Sequence, residues 1–141
     1  MKRDYGIFHV GLKALLRKGD AYLFLRTQRG HFDLPGGRID NVEYETPLLE
    51  VLAREIREEL GEMQYKIGKP VFAYRRYFKR REIYVFILVY EAEFTSGDIK
   101  LSEEHKDYEW IDPRNHQFTI EEFSKNNQEE LAAFKKYFDQ R

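Results

Sequence analysis

The chain has 141 residues, 42% apolar and 16% aromatic, which suits one domain with a substantial core and excludes a disordered chain. Its 24 Lys and Arg stand against 25 Asp and Glu, and a net charge of −1 excludes bulk coating of nucleic acid or anionic membrane. The absence of cysteine removes disulfide scaffolds, Cys-ligated zinc, iron–sulfur clusters and thiol catalysis.

Lys2 and Arg3 precede a modestly apolar stretch that Asp4, His9 and Lys13 interrupt, so no signal peptide is expected. No run approaches the roughly 18 apolar residues of a membrane helix. No repeat or linker divides the chain. These features predict a soluble, cytoplasmic, single domain over residues 1–141, without membrane contact. A homodimer is compatible with the sequence, which does not set the oligomeric state.

Ile7 to Leu16 reads as a strand, Lys18-Gly19-Asp20 as a turn, and Ala21 to Leu25 as a second strand, together an antiparallel hairpin. Arg26 to Asp33 is a polar loop that ends in Leu34-Pro35-Gly36-Gly37, a strong turn signal. Thr46 is placed to cap a helix with Pro47 at its first position. Leu48, Leu49, Leu52, Ile56 and Leu60 give that helix an apolar stripe, and Gly61 closes it. Val71 to Phe78 and Ile83 to Phe94 read as strands. The near-continuous apolar run of the second predicts burial on both faces. Tyr108 to Ile111 is a short strand, Thr119 and Glu122 form a capping box, and Gln128 to Phe138 reads as a terminal helix presenting Leu131, Phe134 and Phe138. This succession predicts an α+β fold, a mixed sheet sandwiched between helices.

The helix after Pro47 carries Glu55, Glu58, Glu59 and, just past its end, Glu62. At about 100° per residue, Glu55, Glu58 and Glu59 share one arc beside the apolar stripe. Arg54 has favourable spacing to Glu50 and Glu58, the pattern of an ordinary solvated face. Glu55, however, has no basic residue three or four positions away, and its neighbour at that spacing is Glu59. Carboxylates repelling at the edge of a core call for an external cation, and without imidazole or thiol in the helix a hard ion such as Mg²⁺ or Mn²⁺ fits.

Gly37, then Glu43 or Glu45, then Arg54-Glu55-Ile56-Arg57-Glu58-Glu59-Leu60-Gly61 resembles the signature box of the Nudix hydrolases, here about residues 37–61. The lead-in Leu34-Pro35-Gly36-Gly37 matches as well. Around Asn41 to Thr46 the box is three residues longer than the usual pattern, which leaves its first Glu ambiguous. Glu43 keeps the distance from Gly37; Glu45, directly before Thr46-Pro47, better matches the helix entry and is favoured here. Gly36, Gly37, Glu45 and Gly61 are then the structural positions of the box.

The resemblance implies an α/β/α sandwich and a metal-dependent hydrolase that cleaves a phosphoanhydride of a nucleoside diphosphate linked to another moiety. Dinucleoside polyphosphates, nucleoside triphosphates and nucleotide sugars are the candidate substrates. It further implies Glu55, Glu59, Glu58 and the Gly37 carbonyl as metal ligands, with Glu58 and Arg54 in catalysis. Arg54 would orient the carboxylates through the early box Glu. Leu101 to Trp110 looks like the family's Glu-His-x-x-Tyr-x-Trp segment and assigns Glu104, with Glu103 as fallback, as base or further ligand. His105 reads there as a residue that shapes the loop, and Trp110 as core.

Arg75, Arg76, Lys79, Arg80 and Arg81 form a basic run without an acid. It reads either as phosphate capture through Arg75, Arg76, Lys79 and Arg81 or as a solvated turn guarding an edge strand. Between Arg54 and Glu62 the charge is −2, and between Arg75 and Arg81 it is +5, so near-neutrality overall hides two oppositely charged segments. An alternative reading of the whole is a nucleotide-binding sensor of Nudix type that does not cleave. The three extra residues favour it; the intact box carboxylates speak for the enzyme.

Overall fold

The computed structural model describes residues 1–140. Strands β1 (His9–Lys18), β2 (Ala21–Thr27), β3 (Phe32–Asp33), β4 (Gly36–Arg38), β5 (Gln64–Phe78), β6 (Ile83–Ser96) and β7 (His105–Ile111) form one mixed sheet. Helix α1 (Leu48–Leu60) packs on one face. On the other lie the single turn α2 (Ile120–Phe123) and helix α3 (Gln128–Asp139). This is the expected α+β sandwich. Among the described residues no helix is long and apolar enough to cross a membrane.

The β1–β2 hairpin pairs only at Arg17↔Tyr22 and Lys18↔Ala21 before its strands part. β1 then runs parallel to β6 from His9↔Val85 to Arg17↔Glu93, and takes β4 antiparallel on its other edge. β2 instead pairs with β3 and β7. The gap between the parted strands is where β3, β4 and the start of β7 converge.

Period-two alternation divides the core between the two faces. Leu12, Ala14 and Leu16 of β1 and Leu23 and Leu25 of β2 meet Val51, Leu52, Ile56 and Leu60 of α1. Leu15, Phe24, Tyr74, Val85, Ile87 and Val89 point the opposite way, toward Phe118, Phe123 and Phe134. Each buried Leu, Ile, Val or Phe among them contributes about 1.5–3 kcal/mol of transfer free energy.

Several expectations need correction. Pro47, not Thr46, occupies the N-cap of α1 and makes no side-chain capping bond; its carbonyl accepts from the Glu50 and Val51 N–H groups. Leu48 and Leu49 are exposed, and Val51 takes a buried position instead. β6 is not covered on both faces along its length. Tyr84 (51% exposed) and Phe86 (42%) lie outside the reach of α1. β5 starts earlier than expected, and irregular register around Ile67 to Phe72 explains why its pattern escapes a period-two reading. Gly61 does close α1, at φ +83°.

Candidate active site

Two glycines let α1 approach the sheet at β4. Gly36 has φ +139°, and a Cβ there would stand 2.0 Å from the Leu12 carbonyl oxygen, so only glycine fits against β1. A Cβ on Gly37 would stand 2.3 Å from Glu55 Oε2. The bare backbone at Gly37 thus receives the Glu55 carboxylate. The Gly36 N–H donates to Glu59 Oε1 at 2.8 Å, which leaves Oε2 as the unengaged oxygen of a side chain only 5% exposed. Burial pushes the Glu59 carboxyl up to about 7, against the opposing pull of Lys13 and the Gly36 N–H. Burial also raises Glu55, against Arg54.

Arg54 is the hub of the outer carboxylates. Its Nε and Nη2 donate to Glu43 at 2.7 and 2.8 Å, a bidentate pair. Nη1 reaches both oxygens of Glu58 at 3.1 Å, and Nη2 also reaches Glu55 at 2.9 Å. The preference for Glu45 as first box glutamate is therefore overturned, since Glu43 holds Arg54. The inserted residues form a 3-10 turn, Asn41–Glu43, in which Glu43 also accepts from the Asp40 N–H at 3.0 Å. Glu55, which lacks a cation at helical spacing, is satisfied by the adjacent Arg54, because Glu43 draws the guanidinium across the helix face. Glu58 is exposed and does not line the cleft described below.

Sequence reasoning missed a buried polar cluster behind these carboxylates. Lys13, in the middle of apolar β1, bonds the Leu34 carbonyl at 3.1 Å and Asp33 at 3.1 Å, and so pins the 33–36 segment. Asp33 Oδ2 lies 3.0 Å from His105 Nε2. Burial would raise Asp33, but Lys13, His105 and Arg76 hold it well below the usual carboxylate range. Burial opposes charging of His105; the hydrogen bond and charge of Asp33, with Glu59, overcome that and raise its pKa. A Lys interrupting an apolar strand and a His beside Glu104 are the only signals the sequence offers, and both suit a surface equally well. One oxygen each of Glu59 and exposed Glu104 and a ring nitrogen of His105 all lie within 4.8 Å of one another.

The basic run is not one phosphate-binding patch. Arg75 pairs with Glu129 of α3 at 2.8 Å, and Arg76 pairs with buried Glu130 at 2.7 Å and approaches Asp33 at 3.6 Å. Lys79 and Arg80 lie in the exposed turn between β5 and β6 and do not line the cleft. The spacing missed this because the partners are contributed by a helix 54 residues away. Trp110, expected in the core, is half-buried, edge-on to Phe94 and under the Lys18 ammonium.

An open cleft of about 1220 Å³ gathers these parts: it is lined by Glu55, Glu59, Glu104 and His105, by Arg76 and Arg81, and by the apolar side chains of Phe78, Ile83, Val85 and Ile87. A lining that joins charged and apolar side chains suits a ligand with phosphates and a ring system. A family model described as NUDIX domain matches residues 8–134. This chain belongs to the Nudix family. Its curated relatives include the nucleoside triphosphatase NudI of Escherichia coli O81, 32% identical over 116 residues that cover 70% of this chain and 78% of the relative. Among solved structures, a MutT protein from Methanosarcina mazei Go1 is 26% identical with TM-score 0.72, and 94% of each chain is covered. The MutT Nudix hydrolase from Burkholderia pseudomallei, 20% identical, shares the fold at TM-score 0.67 over 91% of this chain and 98% of its own. The chain is a Nudix pyrophosphohydrolase acting on nucleotide derivatives, in a family that uses divalent metal ions.

Proposed function

We propose that this Nudix enzyme hydrolyses nucleoside triphosphates with Mg²⁺ or Mn²⁺, with dinucleoside polyphosphates and nucleotide sugars as rival substrates. The observation that carries the reading is a carboxylate pair, buried Glu59 and half-buried Glu55, lining a cleft that also presents apolar side chains. The nucleoside triphosphatase relative supports placing triphosphates first.

The residues fit a divalent ion. Glu59 keeps one unengaged oxygen in a site where ionisation is costly, Glu104 stands beside it, and Glu55 lies in a cradle that any Cβ at Gly37 would fill. Glu55, Glu59 and Glu104, with the Gly37 carbonyl, would hold the ion. Bound there, it would neutralise phosphate charge and lower the pKa of water. Glu58 has both oxygens on Arg54, which supports a positioning role for each: together with Glu43 they fix where Glu55 points. Water attacks phosphorus, one anhydride P–O bond breaks, and the carboxylate oxygen of exposed Glu104 that is not on the ion would take the proton. Arg81, which lines the same cleft, would meet the phosphates. Phe78 and Ile83 exclude water from the ring system.

The test is product release from a nucleotide panel with Mg²⁺, comparing the parent with Glu59→Gln. Turnover of triphosphates that drops about 100-fold or more in the variant supports the site. Turnover that survives overturns it. Tight nucleotide binding without turnover by the parent would establish the sensor instead.

A further inference from the structure

His105 is a buried polar side chain of the cleft that the reading above leaves unused. It is 7% exposed, and its Nδ1 has no hydrogen-bond partner. Such an orphan costs about 1–3 kcal/mol unless something completes it. The surroundings state what that is. Nε2 faces Asp33 Oδ2 at 3.0 Å, and Asp33, ion-paired to Lys13 and Arg76, is an anion that accepts. The proton of a neutral ring is therefore fixed on Nε2, and Nδ1 presents its lone pair. That lone pair faces Glu59 Oε2 at 3.8 Å, the one oxygen of Glu59 not held by the Gly36 N–H. A lone pair and a carboxylate oxygen facing each other in a buried site lack a cation between them.

We propose that His105 is a metal ligand: its Nδ1 joins Glu59 and Glu104 in a mixed nitrogen–oxygen site for a first-row transition cation such as Mn²⁺. The inference deepens the proposed function and rests on it. Two donors each about 2.1 Å from a common ion stand roughly 3.0 Å apart in cis and 4.2 Å in trans. The 3.8 Å separation of Nδ1 and Oε2 falls between these, and the 4.8 Å spread of the trio closes with a small rotation of exposed Glu104. Asp33 completes the carboxylate–histidine–metal arrangement that fixes tautomer and ring orientation in metal sites. Imidazole ligation shifts preference from Mg²⁺ toward Mn²⁺ and the later ions of the series, relative to an all-carboxylate site.

The experiment is Mn²⁺ titration of the full chain followed by pulsed electron paramagnetic resonance of the complex. His9 and His105 are the two histidines lining the cleft. Coupling to an imidazole nitrogen is expected in the parent and in His9→Gln, and its loss in His105→Gln, with Mn²⁺ bound about tenfold or more weakly. Bound Mn²⁺ without nitrogen coupling in the parent overturns ligation by His105 and leaves the carboxylate site standing. No Mn²⁺ bound at all overturns both readings. Coupling lost in His9→Gln or retained in His105→Gln also overturns the inference. Should His105→Gln fail to fold, the parent and His9→Gln decide it alone.

Discussion

Glu59 is held in a site that disfavours its charge. Burial moves its carboxyl from 4.5 to about 7, so across that window the folded metal-free protein binds more protons than the unfolded chain. Its stability therefore falls as pH rises from about 4.5 to 7, and the loss is complete above. Glu59→Gln keeps an oxygen for the Gly36 N–H and removes the charge. In EDTA at pH 8, urea unfolding is expected to show the variant about 1–3 kcal/mol more stable than the parent. Near pH 4.5, where both side chains are neutral, the difference should vanish. A variant weaker than the parent at pH 8 would mean that Lys13 already compensates the anion. Glu43 gives a second test at this scale. Glu43→Gln breaks the bidentate hold on Arg54 and should cost about tenfold in metal affinity, whereas Glu45→Gln should leave it unchanged. Equal effects would return the first box position to ambiguity.

At the scale of elements, the adjacent glycines of β4 do different work. At Gly36 an added Cβ meets backbone, the Leu12 carbonyl oxygen at 2.0 Å, and the strand must leave β1. At Gly37 it meets the end of a flexible side chain, which can rotate away. Gly36→Ala should therefore cost about 3 kcal/mol or more of stability, read by urea unfolding. Gly37→Ala should fold near normally yet lose metal affinity, because Glu55 is driven from its place. A Gly37→Ala protein with parental metal binding would show that Glu55 is not a ligand. From the sequence, Pro35-Gly36-Gly37 reads as a turn, and the two positions look equivalent. What separates them is β1 and α1, neighbours that local spacing does not specify. The α1 carboxylates were legible because helical periodicity is local, and the overall sandwich because strand and helix signals alternate cleanly. Glu43 was misjudged because a 3-10 turn, Asn41–Glu43, decides which glutamate meets Arg54. The partners of Arg75 and Arg76 were not legible because Glu129 and Glu130 come from α3.

Across the whole molecule, ion pairs run from α3 through the sheet toward α1: Glu130 to Arg76, Arg76 to Asp33, Asp33 to Lys13 and His105, and His105 toward Glu59. Removing an end of such a chain strands a buried charge. Glu130→Ala should destabilise by about 3–5 kcal/mol, whereas Glu129→Ala, whose partner is exposed, should cost under about 1 kcal/mol. The chain is also unbalanced. Ionised Glu59 brings the carboxylates to three, with Asp33 and Glu130, against the two cations Lys13 and Arg76. A proton or a metal ion restores the balance, and the two compete. Below about pH 7 Glu59 carries the proton, and His105, also drawn upward, adds to the uptake. Metal binding near pH 6 must therefore expel about one proton or more, and near pH 8.5 close to none. Apparent Mn²⁺ affinity should fall about tenfold per pH unit below 7. Calorimetric titration in buffers of different ionisation enthalpy counts the protons directly. A count that stays the same at both pH values would show that the buried cluster does not set the charge of the site.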